Sequence, residues 1–289
     1  MLLTPRLRSQ LERLSLQSRE RVRSLWTGRH ASVRKGESLD FADYREYVPG
    51  DDYRRIDHNL RARLGRLLVR QYEAEEELPV RVVVDVSASM GFHDKDATAR
   101  RVAAMVAYLG LAGGDRVALS AVPGTGGRAV AMGPSGRHLA AWPELESWLE
   151  RLEVGGAAPL APSIRSLVGG SLIRGSVVLV SDMLDAEWER SLDGLAVGAG
   201  GIVLQVLGRP EFEPELSGDL RLVDAESGAE VEISTDRDAL ASYRRSLETF
   251  VAGVSARAHR AGLDYLLIPA GPGAEEEALR SLVTAGAVR

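Results

Sequence analysis

The chain has 289 residues, 45% of them hydrophobic and 27% charged, with a net charge of −5 and no cysteine. This is the composition of a globular protein with a real core, and it excludes disulfides, zinc–thiolate sites and thiol nucleophiles. The charge is uneven, with 16 basic and 9 acidic residues in positions 1–72 against 20 and 32 in the remainder. The arginines form no dense run and aromatics are only 5%, so nucleic-acid binding is not expected.

Thr4-Pro5 reads as a helix start, a capping residue followed by proline at the first helical position. Leu7, Leu11, Leu14, Val22 and Leu25 recur near helical spacing until Gly28. Residues 30–66 give no single pattern, apart from a turn at Pro49-Gly50. Leu67–Tyr72 reads as a strand, and Pro79 closes the acidic run that follows it.

From Arg81 on, strands and helices alternate. The expected strands are 81–86, 116–122, 128–132, 176–181, 201–207 and 263–268; the expected helices are 97–111, 137–152 with a kink or break at Pro143, 163–168, 187–195, 236–261 and 275–283. A β-hairpin is expected from 220–223 and 230–233 around AESGA. Continuous Val/Leu/Ile strands between helices imply an α/β fold with a doubly wound, mostly parallel sheet covered on both faces. The expected organisation is an N-terminal segment, residues 1–77, packing on a core domain of residues 78–289. No window approaches the ~18 apolar residues of a membrane helix, and MLLTPRLRSQ lacks a signal-peptide core. The expectation is a soluble, cytoplasmic protein.

The chemistry gathers at strand ends, where open α/β sheets place their sites. The strand VRVVVD ends in Asp85, followed by Ser87 and Ser89 at alternating positions, and SVVLVS ends at Asp182. One carboxylate and two hydroxyls facing one point suit a hard cation such as Mg²⁺, which keeps several waters. Read without a cation, the same serines and aspartate simply satisfy loop amides.

Asp85, Ser87, Ser89 and Asp182 resemble the metal-ion-dependent adhesion site of von Willebrand factor A domains. That resemblance implies a von Willebrand factor A-like fold, these four residues as metal ligands, and an open cation position filled by a carboxylate of another protein. The threonine ligand of such sites is replaced here: VGGAAPL has Ala157 and Ala158 where it is expected, so the site is degenerate.

The preceding stretch, YVPGDDYRRIDHNLRARLGRL from Tyr47 to Leu67, resembles the signature of the fifty-eighth domain-of-unknown-function family. Tyr47, Pro49, Gly50, Asp51, Asp52, Arg54, Ile56, Asp57, Ala62, Arg63, Gly65 and Leu67 match it, and His58 stands where the family has tryptophan. The resemblance spans roughly residues 30–270 and implies the short form without membrane helices. It also implies a non-enzymatic adaptor that partners a MoxR-type AAA+ ATPase. Read from its residues, the stretch is a turn rich in local Asp–Arg pairs.

Other chemistries are poorly supported. GTGGRA from Gly124 leads into a short strand and not into a helix, so it reads as a hairpin loop and not a dinucleotide fingerprint. No phosphate-binding G-x-x-x-x-G-K-[ST] and no G-x-S-x-G elbow occur. The competing function is a metal-dependent hydrolase of phosphate esters, in which a strand-end cation polarises a phosphoryl oxygen.

Overall fold

Val80, Val82, Val83 and Val84 leave no polar face, so the strand they form must be covered on both sides. A computed structural model of the chain shows how this is done. It describes residues 1–17, 41–48, 63, 65–72, 80–124, 128–155, 159–169, 175–196, 200–214, 216, 218–226 and 228–287. The chain forms two compact units: Met1–His30 with Leu78–Arg289, and Ala31–Glu77.

In the smaller unit, β1 (Phe41–Glu46) pairs antiparallel with β2 (Leu68–Tyr72). The Pro49-Gly50 turn, most of the Tyr47–Leu67 signature and His58 lie outside the described residues.

In the larger unit, six strands form one sheet: β3 (Val80–Asp85), β4 (Val117–Val122), β5 (Ala131–Gly136), β6 (Ser176–Ser181), β7 (Gly201–Leu207) and β10 (Asp264–Pro269). Their order is β10-β7-β6-β3-β4-β5, all parallel except β5, which runs antiparallel to β4 at the edge. Pro134 and Gly133 sit in that edge strand, where a missing donor is tolerated. Outside the sheet, β8 (Gly218–Val223) and β9 (Glu230–Thr235) form a separate antiparallel hairpin.

Period-two side-chain alternation divides the core between the two faces. Val82, Val84, Val178, Val180 and Leu204 pack on one side with helices α1 (Pro5–Gln17), α2 (Lys95–Gly113), α3 (Trp142–Glu150) and α8 (Ala274–Ala287). Val83, Val177, Leu179 and Val203 pack on the other with α4 (Leu160–Gly169), α5 (Trp188–Ala196) and α7 (Arg237–Arg260). A short turn of helix, α6, spans Arg209–Phe212. The fold is therefore α/β, a mostly parallel sheet between helical layers. Among the described residues, no helix is long and apolar enough to cross a membrane.

Helix α2 runs through the middle of its layer. Every residue from Val102 to Leu111 is buried, so its apolar surface goes all round. It ends where Gly114 takes φ +83° and returns its N–H to the carbonyls of Gly110 and Leu111. Helix α1 lays Leu3, Leu7 and Leu11 into the same core. Thr4 Oγ1 accepts from the Leu7 amide at 3.2 Å, the expected cap. Arg8 grips Glu146 through two bonds of 2.9 Å and lies 5.5 Å from the Trp142 ring centre. The Tyr108 hydroxyl donates to Glu12 at 2.5 Å. Burial and then that carboxylate push the phenol up to about 12.

Two local expectations need correction. Pro143 does not break a helix of residues 137–152; it lies in the first turn of α3, where its missing N–H costs nothing. The strand expected at 128–132 runs instead over Ala131–Gly136.

Candidate functional site

Strand order fixes where a site can form. From β3 the chain goes to β4 and β5 on one side, then returns to β6 and continues outward through β7 and β10. The order thus reverses between β3 and β6, the switch point at which open α/β sheets form a crevice outside the carboxyl ends of the strands. Asp85 is the last residue of β3, and Asp182 follows the last residue of β6. The two expected carboxylates flank the switch point and lie close enough for their charges to interact.

Asp85 is 4% exposed. One carboxylate oxygen accepts from the Ser87 amide at 2.9 Å, a local turn contact, and the other from the Ser181 hydroxyl at 2.5 Å. Burial, and then the charge of Asp182, raise its pKa to about 7; the bonds from Ser181 and Ser87 oppose that rise without cancelling it. Ser87 and Ser89 bring their Oγ atoms to 3.1 Å from each other, so three of the four residues share the loop that follows β3. Gly155, in the VGGAAPL loop, donates its N–H to the Val86 carbonyl at 2.9 Å, which sets that loop beside them. Ala157 and Ala158 lie outside the described residues. Ser163, further on, is buried with its hydroxyl on the Pro159 carbonyl.

Asp182 is held differently. One oxygen accepts from the Leu184 amide at 3.0 Å; the other is bonded to Lys95 Nζ at 2.8 Å. Lys95 is 1% exposed, and its ammonium also meets Glu211 at 2.6 Å. Burial alone would pull the lysine pKa down, but the two carboxylates outweigh it and the net shift is upward. The lysine enters from a turn in which His93 and Asp94 take φ +57° and +61°, just before α2 begins. Glu211 is anchored by the Gly208 amide at 2.6 Å. A Cβ at Gly208 would fall 2.4 Å from that of His93, so this close approach requires glycine.

Lys95, Glu211 and Ser181 were not singled out from the sequence. The one signal for Lys95 was its rarity: it is one of two lysines among 36 basic residues. Glu211 follows the fourth parallel strand, and nothing local marks it. A fourth carboxylate arrives from the β8–β9 hairpin: Glu226 accepts the Ser89 N–H at 3.1 Å.

A divalent cation would meet hard oxygen donors here, as Mg²⁺ requires. Among the described residues no group of three or more His, Cys, Asp or Glu side chains is arranged to hold a metal. Coordination therefore depends on serine hydroxyls and water beside Asp85. Asp85 has no cationic side chain in contact among the described residues, whereas Asp182 is paired with Lys95, which it shares with Glu211. The donor set fits a cation centred on Asp85, Ser87 and Ser89, with one oxygen of Asp182 bonded to Lys95.

Residues 43–252 match the family model described as protein of unknown function DUF58. The chain belongs to this family. Curated relatives include the uncharacterized protein Rv1480 of Mycobacterium tuberculosis (strain ATCC 25618 / H37Rv) and the uncharacterized protein Mb1516 of Mycobacterium bovis. Each is 30% identical over 264 residues, covering 87% of this chain and 83% of the relative. The DUF58 match takes in most of β1, both carboxylate-bearing strand ends, the hairpin and most of α7.

Proposed function

We propose that this DUF58 protein is a non-enzymatic adaptor with a von Willebrand factor A-like fold that docks an acidic segment of another protein at the β3–β6 crevice. The observation that carries this reading is Glu226: a carboxylate already rests on the Ser89 amide at 3.1 Å, at the rim of the cation-capable loop. A loop that seats a carboxylate of its own chain has the chemistry to seat one from a partner. The family resemblance favours a MoxR-type AAA+ ATPase as that partner. Asp85, Ser87 and Ser89 would hold Mg²⁺, and Asp182 would steady the site through Lys95. Bound there, the ion supplies an electrophilic position for an incoming carboxylate.

The same contacts weigh against the hydrolase. Lys95 is already engaged by two carboxylates and does not face the crevice as a free cation for a phosphoryl oxygen. Neither a poised nucleophile–base pair nor an arginine facing the crevice occurs among the described contacts.

Thermal unfolding with and without millimolar Mg²⁺ tests the cation. A ligand that binds only the native state raises Tm, by roughly 2–4 °C per kcal/mol for a chain of this size. The expected result is a rise in the wild type that Asp85→Ala removes. No rise at all refutes the metal site. Turnover of phosphate esters that disappears in Asp85→Ala would favour the hydrolase instead.

A further inference from the structure

The β8–β9 hairpin stands apart from the sheet. Its six-residue strands are largely exposed on both sides, whereas β6 and β7 are buried throughout. The cross-strand pairs Leu220–Ile233 and Leu222–Val231 line one face; Arg221 and Glu232 pair on the other. Leu222 and Val231 remain 43% and 58% exposed. An isolated two-stranded ribbon is marginally stable in water, so its position depends on its few tertiary contacts.

The tip is built to present one side chain. The Asp224 amide donates to the Ala229 carbonyl at 2.8 Å, and the Gly228 amide to the Asp224 carbonyl at 2.9 Å, closing the turn. Asp224 Oδ1 accepts the Glu226 amide at 3.2 Å, which orients that residue. Glu226 then reaches 137 positions back along the chain to the Ser89 N–H. The bond is charge-assisted, but a single hydrogen bond contributes only modestly to stability, which makes it a latch that can be opened.

We propose that Glu226 closes the docking loop in cis, and that the β8–β9 hairpin must lift before an external acidic segment can bind. The inference rests on the docking reading of the β3–β6 crevice. Lifting costs little core, because the hairpin contributes no residue to either buried cluster.

Amide exchange on the full chain tests the latch in three forms: wild type, Glu226→Gln and Glu232→Gln. Glu226→Gln should speed exchange at Ser89 and along residues 218–235 about ten-fold, the scale expected for turning a charged hydrogen bond into a neutral one. Glu232→Gln, on the polar face of the same hairpin, should change neither and keep the wild-type Tm, whereas Glu226→Gln should lower Tm by a few degrees, the same ten-fold change expressed in global stability. Unchanged exchange in Glu226→Gln overturns the latch.

Docking is read with a labelled synthetic peptide of residues 223–231, VDAESGAEV. It should bind the Glu226→Gln chain about ten-fold more tightly than the wild type. Equal binding, or none to either, overturns the closure. If exchange responds but peptide binding survives added Asp85→Ala, the docking reading fails and Glu226 remains the latch.

Discussion

Lys95 brings a full positive charge into a place where a lysine is almost never buried without a partner. Its two carboxylates make that burial tolerable, and the dependence is mutual. Lys95→Met would leave Asp182 and Glu211 facing each other with no cation in contact. The expected loss is about 3–5 kcal/mol, the cost of breaking a buried pair from one side, measured by urea unfolding. Asp85 behaves in the opposite sense, because its burial favours the protonated form. Its pKa rises from 3.8 unfolded to about 7 folded, so its contribution to stability is complete below the lower value and lost as pH climbs through the upper one. Without metal, Asp85→Asn should therefore gain on the wild type as pH rises from about 5 to about 8. The Mg²⁺-dependent rise in Tm should grow over the same interval, since the ion needs the ionised carboxylate. A Tm difference that does not change with pH would show that Asp85 is already ionised at the lower value.

At the scale of elements, most of the molecule was legible because its signals were local. The β-branched runs gave the parallel strands, and α7 begins one residue after its capping Asp236, whose side chain accepts the Ala239 amide at 2.7 Å. Pro143 misled because proline reads the same whether it breaks a helix or opens one; the preceding turn at Leu139–Ala141 decides which. Helix α1 was legible as an amphipathic helix, but its docking surface was not. Leu3, Leu7 and Leu11 could have faced any apolar layer, and only the fold places them against α2. Leu7→Ala should cost about 2–5 kcal/mol, as for other fully buried leucines, and denaturant unfolding would show it as a lowered midpoint. A midpoint shift well below that range would mean that α1 frays in solution.

At the scale of the whole molecule, the sheet order brings Asp85 and Asp182 to adjacent strand ends although they lie 97 positions apart in the sequence. The D-x-S-x-S spacing made Asp85, Ser87 and Ser89 visible, since those residues lie within one turn of each other. Lys95, Glu211 and Glu226 were not legible, because their partners are 87, 116 and 137 positions away and no spacing rule connects them. They change the character of the crevice. Asp182 is engaged by a lysine, and the loop after β3 is covered by a carboxylate of the same chain. On the proposed reading, the crevice is a docking surface whose access is controlled. Crosslinked affinity capture from the native cell tests that claim most directly, with the wild type and Asp85→Ala compared side by side. The account predicts that the wild type recovers an AAA+ ATPase and that Asp85→Ala loses it; equal recovery by both, or recovery by neither, would contradict it.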